Sequence, residues 1–104
     1  MTTTYRKIAF RRIAEGALLY ADMLVPRWLP NGKREGAEWC SRNPLRAVSR
    51  LGSFKVNVRT GMWSDFATGD RGGDLVSLAA FLFELKQAEA ALKISDMLGI
   101  DTHD

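Results

Sequence analysis

The segment MWSDFATGDRGGDLVSL, residues 62–78, carries the residues most suggestive of chemistry. It holds three carboxylates, Asp65, Asp70 and Asp74, in a loop with three glycines. Such loops often cradle a phosphate or a metal. A phosphate loop needs GxxxxGK[ST], with a lysine that reaches the phosphates. Here no lysine follows, and Asp70 and Asp74 stand where an anion would sit. The carboxylate spacing also misses that of a calcium loop. Nucleophilic catalysis has little to draw on. His103 is the only histidine and lies at the end of the chain, and Cys40 has no histidine near it in sequence. A lone cysteine of this kind is expected to pack as a small apolar residue. No catalytic constellation is visible, and the chain does not read as an enzyme.

These residues are positioned by a chain of 104 residues, the size of one domain. At 46% hydrophobic content it can build a modest core without staples. One cysteine excludes an internal disulfide and fits a reducing compartment, so a cytoplasmic location is expected. The longest strongly apolar run, Leu75 to Phe83, is too short for a membrane helix, which needs about 20 residues. Charge is unevenly distributed. Residues 1–59 hold 12 Lys/Arg against 4 Asp/Glu, a balance of +8; residues 60–104 hold 3 against 8, a balance of −5. A basic half points to a face for a polyanion, set against the plain alternative of a solvated surface.

Periodicity predicts the elements. Residues 4–24 read as an amphipathic helix with Ile13, Ala17, Tyr20 and Leu24 on one face, limited by Pro26. WLPNGKREG reads as a turn, and residues 36–42 as a short strand. In SFKVNVR, Phe54, Val56 and Val58 point one way while Ser53, Lys55, Asn57 and Arg59 point the other. Thr60-Gly61 turns the chain, and MWSDFA returns as the partner strand. Asp74 is placed to cap a helix over LVSLAAFLFEL. A second helix runs from Gln87 to Leu98, and Gly99 stops it.

The pieces GSFKVNVRTGMWSDF, GDRGGDLVSLAAFL and AEAALKISDMLGI, in that order and spacing, resemble the N-terminal zinc-binding domain of bacterial DnaG-type and phage or plasmid DNA primases. The likeness runs from Trp39 to Ile100. It implies an α+β fold, with a small antiparallel zinc-ribbon-like sheet of a hairpin plus a third short strand, one N-terminal helix and two C-terminal helices. It also implies one domain over 1–104, with a helix and linker over 1–35 and the primase-like module over 36–104. The family carries Cys-x-x-His and Cys-Phe-x-Cys. The corresponding positions here are Cys40, Asn43, Asp65 and Thr68. Structural zinc wants four ligands, mainly thiolate and imidazole, so no zinc and no other cofactor is expected. Asp65 and Thr68 are then expected to hydrogen-bond across the old site. Val25, Trp28 and Leu29 would add the apolar burial that a metal no longer supplies.

In primases the resembling domain helps to bind and read single-stranded template. The resemblance thus implies a non-catalytic module that binds single-stranded DNA in the replication of a phage, plasmid or other mobile element. The candidate contacts are Arg42, Arg46, Arg50, Lys55 and Arg59, with Trp63 either as a base-stacking platform or as a core residue. The rival reading is a protein-interaction module that docks on a separate primase, helicase or polymerase.

Overall fold

The computed structural model describes residues 7–46 and 50–103. The start of the expected first helix, 4–6, lies outside them. The fold is α+β. Two N-terminal helices, α1 (Phe10–Leu19) and α2 (Ala21–Trp28), lead into five strands: β1 (Lys33–Glu35), β2 (Glu38–Ser41), β3 (Phe54–Asn57), β4 (Trp63–Asp65) and β5 (Arg71–Gly72). Helices α3 (Leu75–Leu82) and α4 (Gln87–Leu98) follow. The strands form one antiparallel sheet in sequence order, each paired with its chain neighbours.

The expected single leading helix is two. The chain breaks at Tyr20, whose φ of −108° and ψ of 16° leave the helical region. After the break the apolar stripe continues through Ala21, Leu24 and Val25, and Tyr20 is left exposed. Pro26 does not end the helix; it sits inside α2. The donor that proline lacks would have reached the carbonyl of Asp22, on the exposed side of a short helix where water can satisfy it. The apolar supplement expected from VPRWL is in place: Val25 and Leu29 are buried, and Trp28 packs against the core.

The hairpin follows its alternation. Phe54, Val56 and Val58 are all buried, while Lys55 and Asn57 are half-exposed on the other face. The sheet has five strands and not three. β1 falls in the stretch expected as a turn from Pro30 and Asn31-Gly32, and all its residues are exposed. It is an edge strand without an apolar side, held by pairing Lys33 with Cys40 and Arg34 with Trp39. β5 is two residues long, and its Gly72 is required by a close approach. A Cβ there would lie 2.3 Å from both Trp63 Nε1 and Ser77 Oγ.

Helix α3 starts as expected. The Asp74 carboxylate accepts the Ser77 backbone N–H at 2.8 Å. Ser77 Oγ in turn accepts the indole N–H of Trp63 at 2.9 Å, which fixes helix to sheet. α4 ends at Gly99 in the left-handed region, φ 68°. Both ends of the domain meet: Ile8 bridges His103, and the Ala9 N–H donates to the Thr102 carbonyl at 2.9 Å. The core lies between the sheet and helices α1, α3 and α4, around Ile13, Phe54, Leu75 and Leu78.

Candidate functional site

Strand register divides the candidate residues between two faces. Ser41 pairs with Phe54 and Phe54 with Asp65, so these three point toward the helices. Cys40 pairs with Lys55, Lys55 with Ser64 and Ser64 with Arg71, so these four share the opposite, open face. Of the four positions that the family resemblance aligns with zinc ligands, the fold therefore brings Asn43 and Asp65 together and sends Cys40 elsewhere. The Cys40 thiol donates to Glu35 on β1 at 3.3 Å. Burial, with the Glu35 carboxylate beside it, pushes that thiol above its ordinary value.

Asp65 is 1% exposed and Asn43 1% exposed. Asn43 Nδ2 donates to Asp65 Oδ2 at 2.7 Å. Asp65 Oδ1 accepts the Ala67 backbone N–H at 2.8 Å, and the carboxylate also accepts the backbone N–H of Thr68. Arg46 Nη1 stands 3.7 Å from Oδ2. Burial by itself would raise the Asp65 pKa. The Asn43 amide, the two backbone donors and the Arg46 charge outweigh it and hold the carboxyl below its ordinary value. The bridge expected between Asp65 and Thr68 side chains takes a different form. Thr68 contributes its backbone, and its hydroxyl accepts the Asp70 N–H at 3.2 Å within the loop. The partner across the site is Asn43.

The donor set does not fit zinc. Asp65 is already saturated by protein donors, Asn43 presents its amide N–H₂ to Asp65, and a guanidinium stands where a second cation would be repelled. Among the described residues no group of three or more His, Cys, Asp or Glu is placed to hold a metal ion.

The open face has its own geometry. It is a concavity of about 710 Å³, lined by Glu38, Lys55, Asn57, Ser64, Phe66 and Arg71 among others. Phe66 is 71% exposed, and Lys55 Nζ lies 5.5 Å from its ring centroid. A cation and an exposed aromatic thus meet beside a second cation, Arg71, two strands away.

A solved structure shares this fold. The chain aligns with the crystal structure of the Aquifex aeolicus primase (zinc binding and RNA polymerase domains), with a TM-score of 0.67 at 16% identity over 91% of this chain. It spans 22% of that protein's length, and the part it matches is the zinc-binding domain. At that identity the likeness is one of fold. No protein-family model and no curated protein matches the chain.

Within this primase-like fold the six expected contact residues separate. Lys55 stands on the open face, and Arg59 is exposed at the β3–β4 turn. Arg50 is exposed beside residues 47–49, which lie outside the description. Arg42 and Arg46 belong to the helix side, lining a smaller cavity with Trp28 and Ser41. Trp63 is a core residue and not a platform. It is 6% exposed, stacked on Phe54 at 5.7 Å and 4.9 Å from Phe81. The open-face aromatic is Phe66, three residues on. Sequence reasoning missed Phe66 and Arg71. Extending the alternation of β4 past Asp65 would have placed Phe66 on the same face as Lys55.

Proposed function

We propose that the chain is a non-catalytic nucleic-acid-binding module, related to primase zinc-binding domains, that binds single-stranded DNA across the open face of its sheet. The observation that carries this reading is the Lys55–Phe66 pair beside Arg71. Cations that track phosphates next to an aromatic on which a base can stack are the usual means of binding a single strand. Arg59 extends the positive surface at the hairpin end. The primase-like fold supports a role in replication, and replication of a mobile element is the proposed setting. The module works without zinc, its two loops tied by Asn43 and Asp65 instead.

Fluorescence anisotropy with a labelled single-stranded oligonucleotide tests the reading. Binding is expected at low salt and should weaken steeply as salt rises. Phe66→Ala and Arg71→Gln should each weaken it. Absence of binding at low salt would sink the proposal. The second reading, docking on a separate primase, helicase or polymerase, is favoured by an apolar groove of about 330 Å³ between α3 and α4. It is lined by Trp28, Phe83, Leu85 and Met97. Charge reversal at Lys55 and Arg71 abolishes function under the first reading and spares it under the second.

A further inference from the structure

A separate feature lies on the helix side of the sheet. The side chain of Arg46 reaches inward, and its Nη1 atom is buried without a hydrogen-bond partner. The nearest carboxylate does not satisfy it. Asp65 Oδ2 is 3.7 Å away, beyond hydrogen-bond reach, and its lone pairs are engaged by Asn43. A buried charged donor left without an acceptor is unfavourable. Such a donor points to an acceptor supplied from outside the chain.

The space beside it can admit one. Arg46 lines a cavity of about 260 Å³ together with Trp28, Pro30, Asn31, Ser41 and Arg42. Two guanidinium groups and one amide are among the groups that line it, with Trp28 and Pro30 as apolar neighbours. Both arginines bring positive charge to the lining of this cavity, which favours an anion. Guanidinium forks match the oxygens of phosphate, and a phosphate offers more acceptors than a carboxylate to this number of donors.

We propose that this cavity is a phosphate-binding pocket, with Arg46 and Arg42 as the anion ligands. The phosphate comes either from a phosphodiester of a bound strand or from a free phosphate. The proposal does not rest on the open-face reading, because Lys55, Phe66 and Arg71 are absent from this pocket.

The experiment titrates the full chain with inorganic phosphate against chloride at constant ionic strength, following backbone amide NMR shifts of Asn31, Ser41 and Arg42. Saturable shifts are expected in the wild type and in Lys55→Gln. They should weaken at least tenfold in Arg46→Lys and in Arg42→Gln; the second variant leaves the Asp65 ion pair in place. A parallel titration uses an unphosphorylated single-stranded oligonucleotide. Shifts at the same three amides with the oligonucleotide assign the phosphodiester as the source; shifts with inorganic phosphate alone assign free phosphate. The proposal is overturned if neither ligand gives saturable shifts, or if both arginine variants respond as the wild type does.

Discussion

Asn43 and Asp65, 22 residues apart, meet through a 2.7 Å hydrogen bond with both side chains buried. The bond joins the loop after β2 to the end of β4. An amide and a carboxylate thus clamp two separate parts of the chain together.

Removing the amide should expose the cost of that arrangement. Asn43→Ala leaves a buried carboxylate short of one donor, and a loss of about 2–4 kcal/mol in urea unfolding is expected. Asp65→Asn keeps the shape but removes the charge that holds Arg46, and should cost less than Asp65→Ala. A double-mutant cycle between positions 43 and 65 should show coupling above about 1 kcal/mol. Additive effects would mean that the bond contributes nothing to stability.

Acid should act on the same carboxylate. The folded pKa of Asp65 lies below its ordinary value of 3.8, so its contribution is present above that value. The contribution is lost as pH falls from about 4 through the depressed folded pKa. Asp65→Asn should therefore flatten the low-pH limb of a stability–pH curve. An unchanged limb would place the acid sensitivity elsewhere.

Chelation should leave the fold untouched. The melting temperature in EDTA is expected to equal that without it, and elemental analysis should find no stoichiometric zinc. A metal-dependent melting temperature would mean that the polar tie does not replace a metal.

Cys40 should resist alkylation in the folded protein at neutral pH, since it is buried and its thiol pKa is raised. It should react promptly once the chain is unfolded in urea. Rapid labelling of the native protein would show that β1 opens readily, because Glu35 on that strand covers the thiol.

Gly72→Ala should destabilise by about 1–3 kcal/mol through overpacking, since the added methyl meets the Trp63 indole and the Ser77 hydroxyl. Fluorescence of Trp63, isolated in a Trp28→Phe, Trp39→Phe background, reports the change. An unaltered spectrum with unaltered stability would mean that the sheet and α3 can separate locally at no cost.

Much of this architecture is legible in the residues, and the illegible parts have physical reasons. The β3–β4 hairpin could be read because Phe54, Val56 and Val58 alternate strictly with polar residues. Asp74 and Gly99 could be read because cap chemistry is local. β1 could not, because Lys33-Arg34-Glu35 has no apolar side, and only pairing with β2 makes it a strand. The break at Tyr20 was hidden because helical periodicity continues on either side with a shifted phase. At the site, the family resemblance aligned Cys40, Asn43, Asp65 and Thr68, but only cross-strand register shows that Cys40 faces away. Arg46 read as a surface cation, and only its ion pair with buried Asp65 shows that its side chain turns inward. Trp63 was ambiguous because an aromatic on a short strand has two possible faces, and the Ser77 hydroxyl that fixes its choice is 14 residues away.

The bridge between Ile8 and His103, with the Ala9 N–H on the Thr102 carbonyl, has a mechanical consequence. Any sequence joined before Ile8 and any joined after His103 would leave the domain from adjacent points. The domain would then hang from a neighbour as a pendant, entered and left at one place. A short peptide could close its ends into a ring, and the exposed turn at Gly36 offers a place to cut new ones.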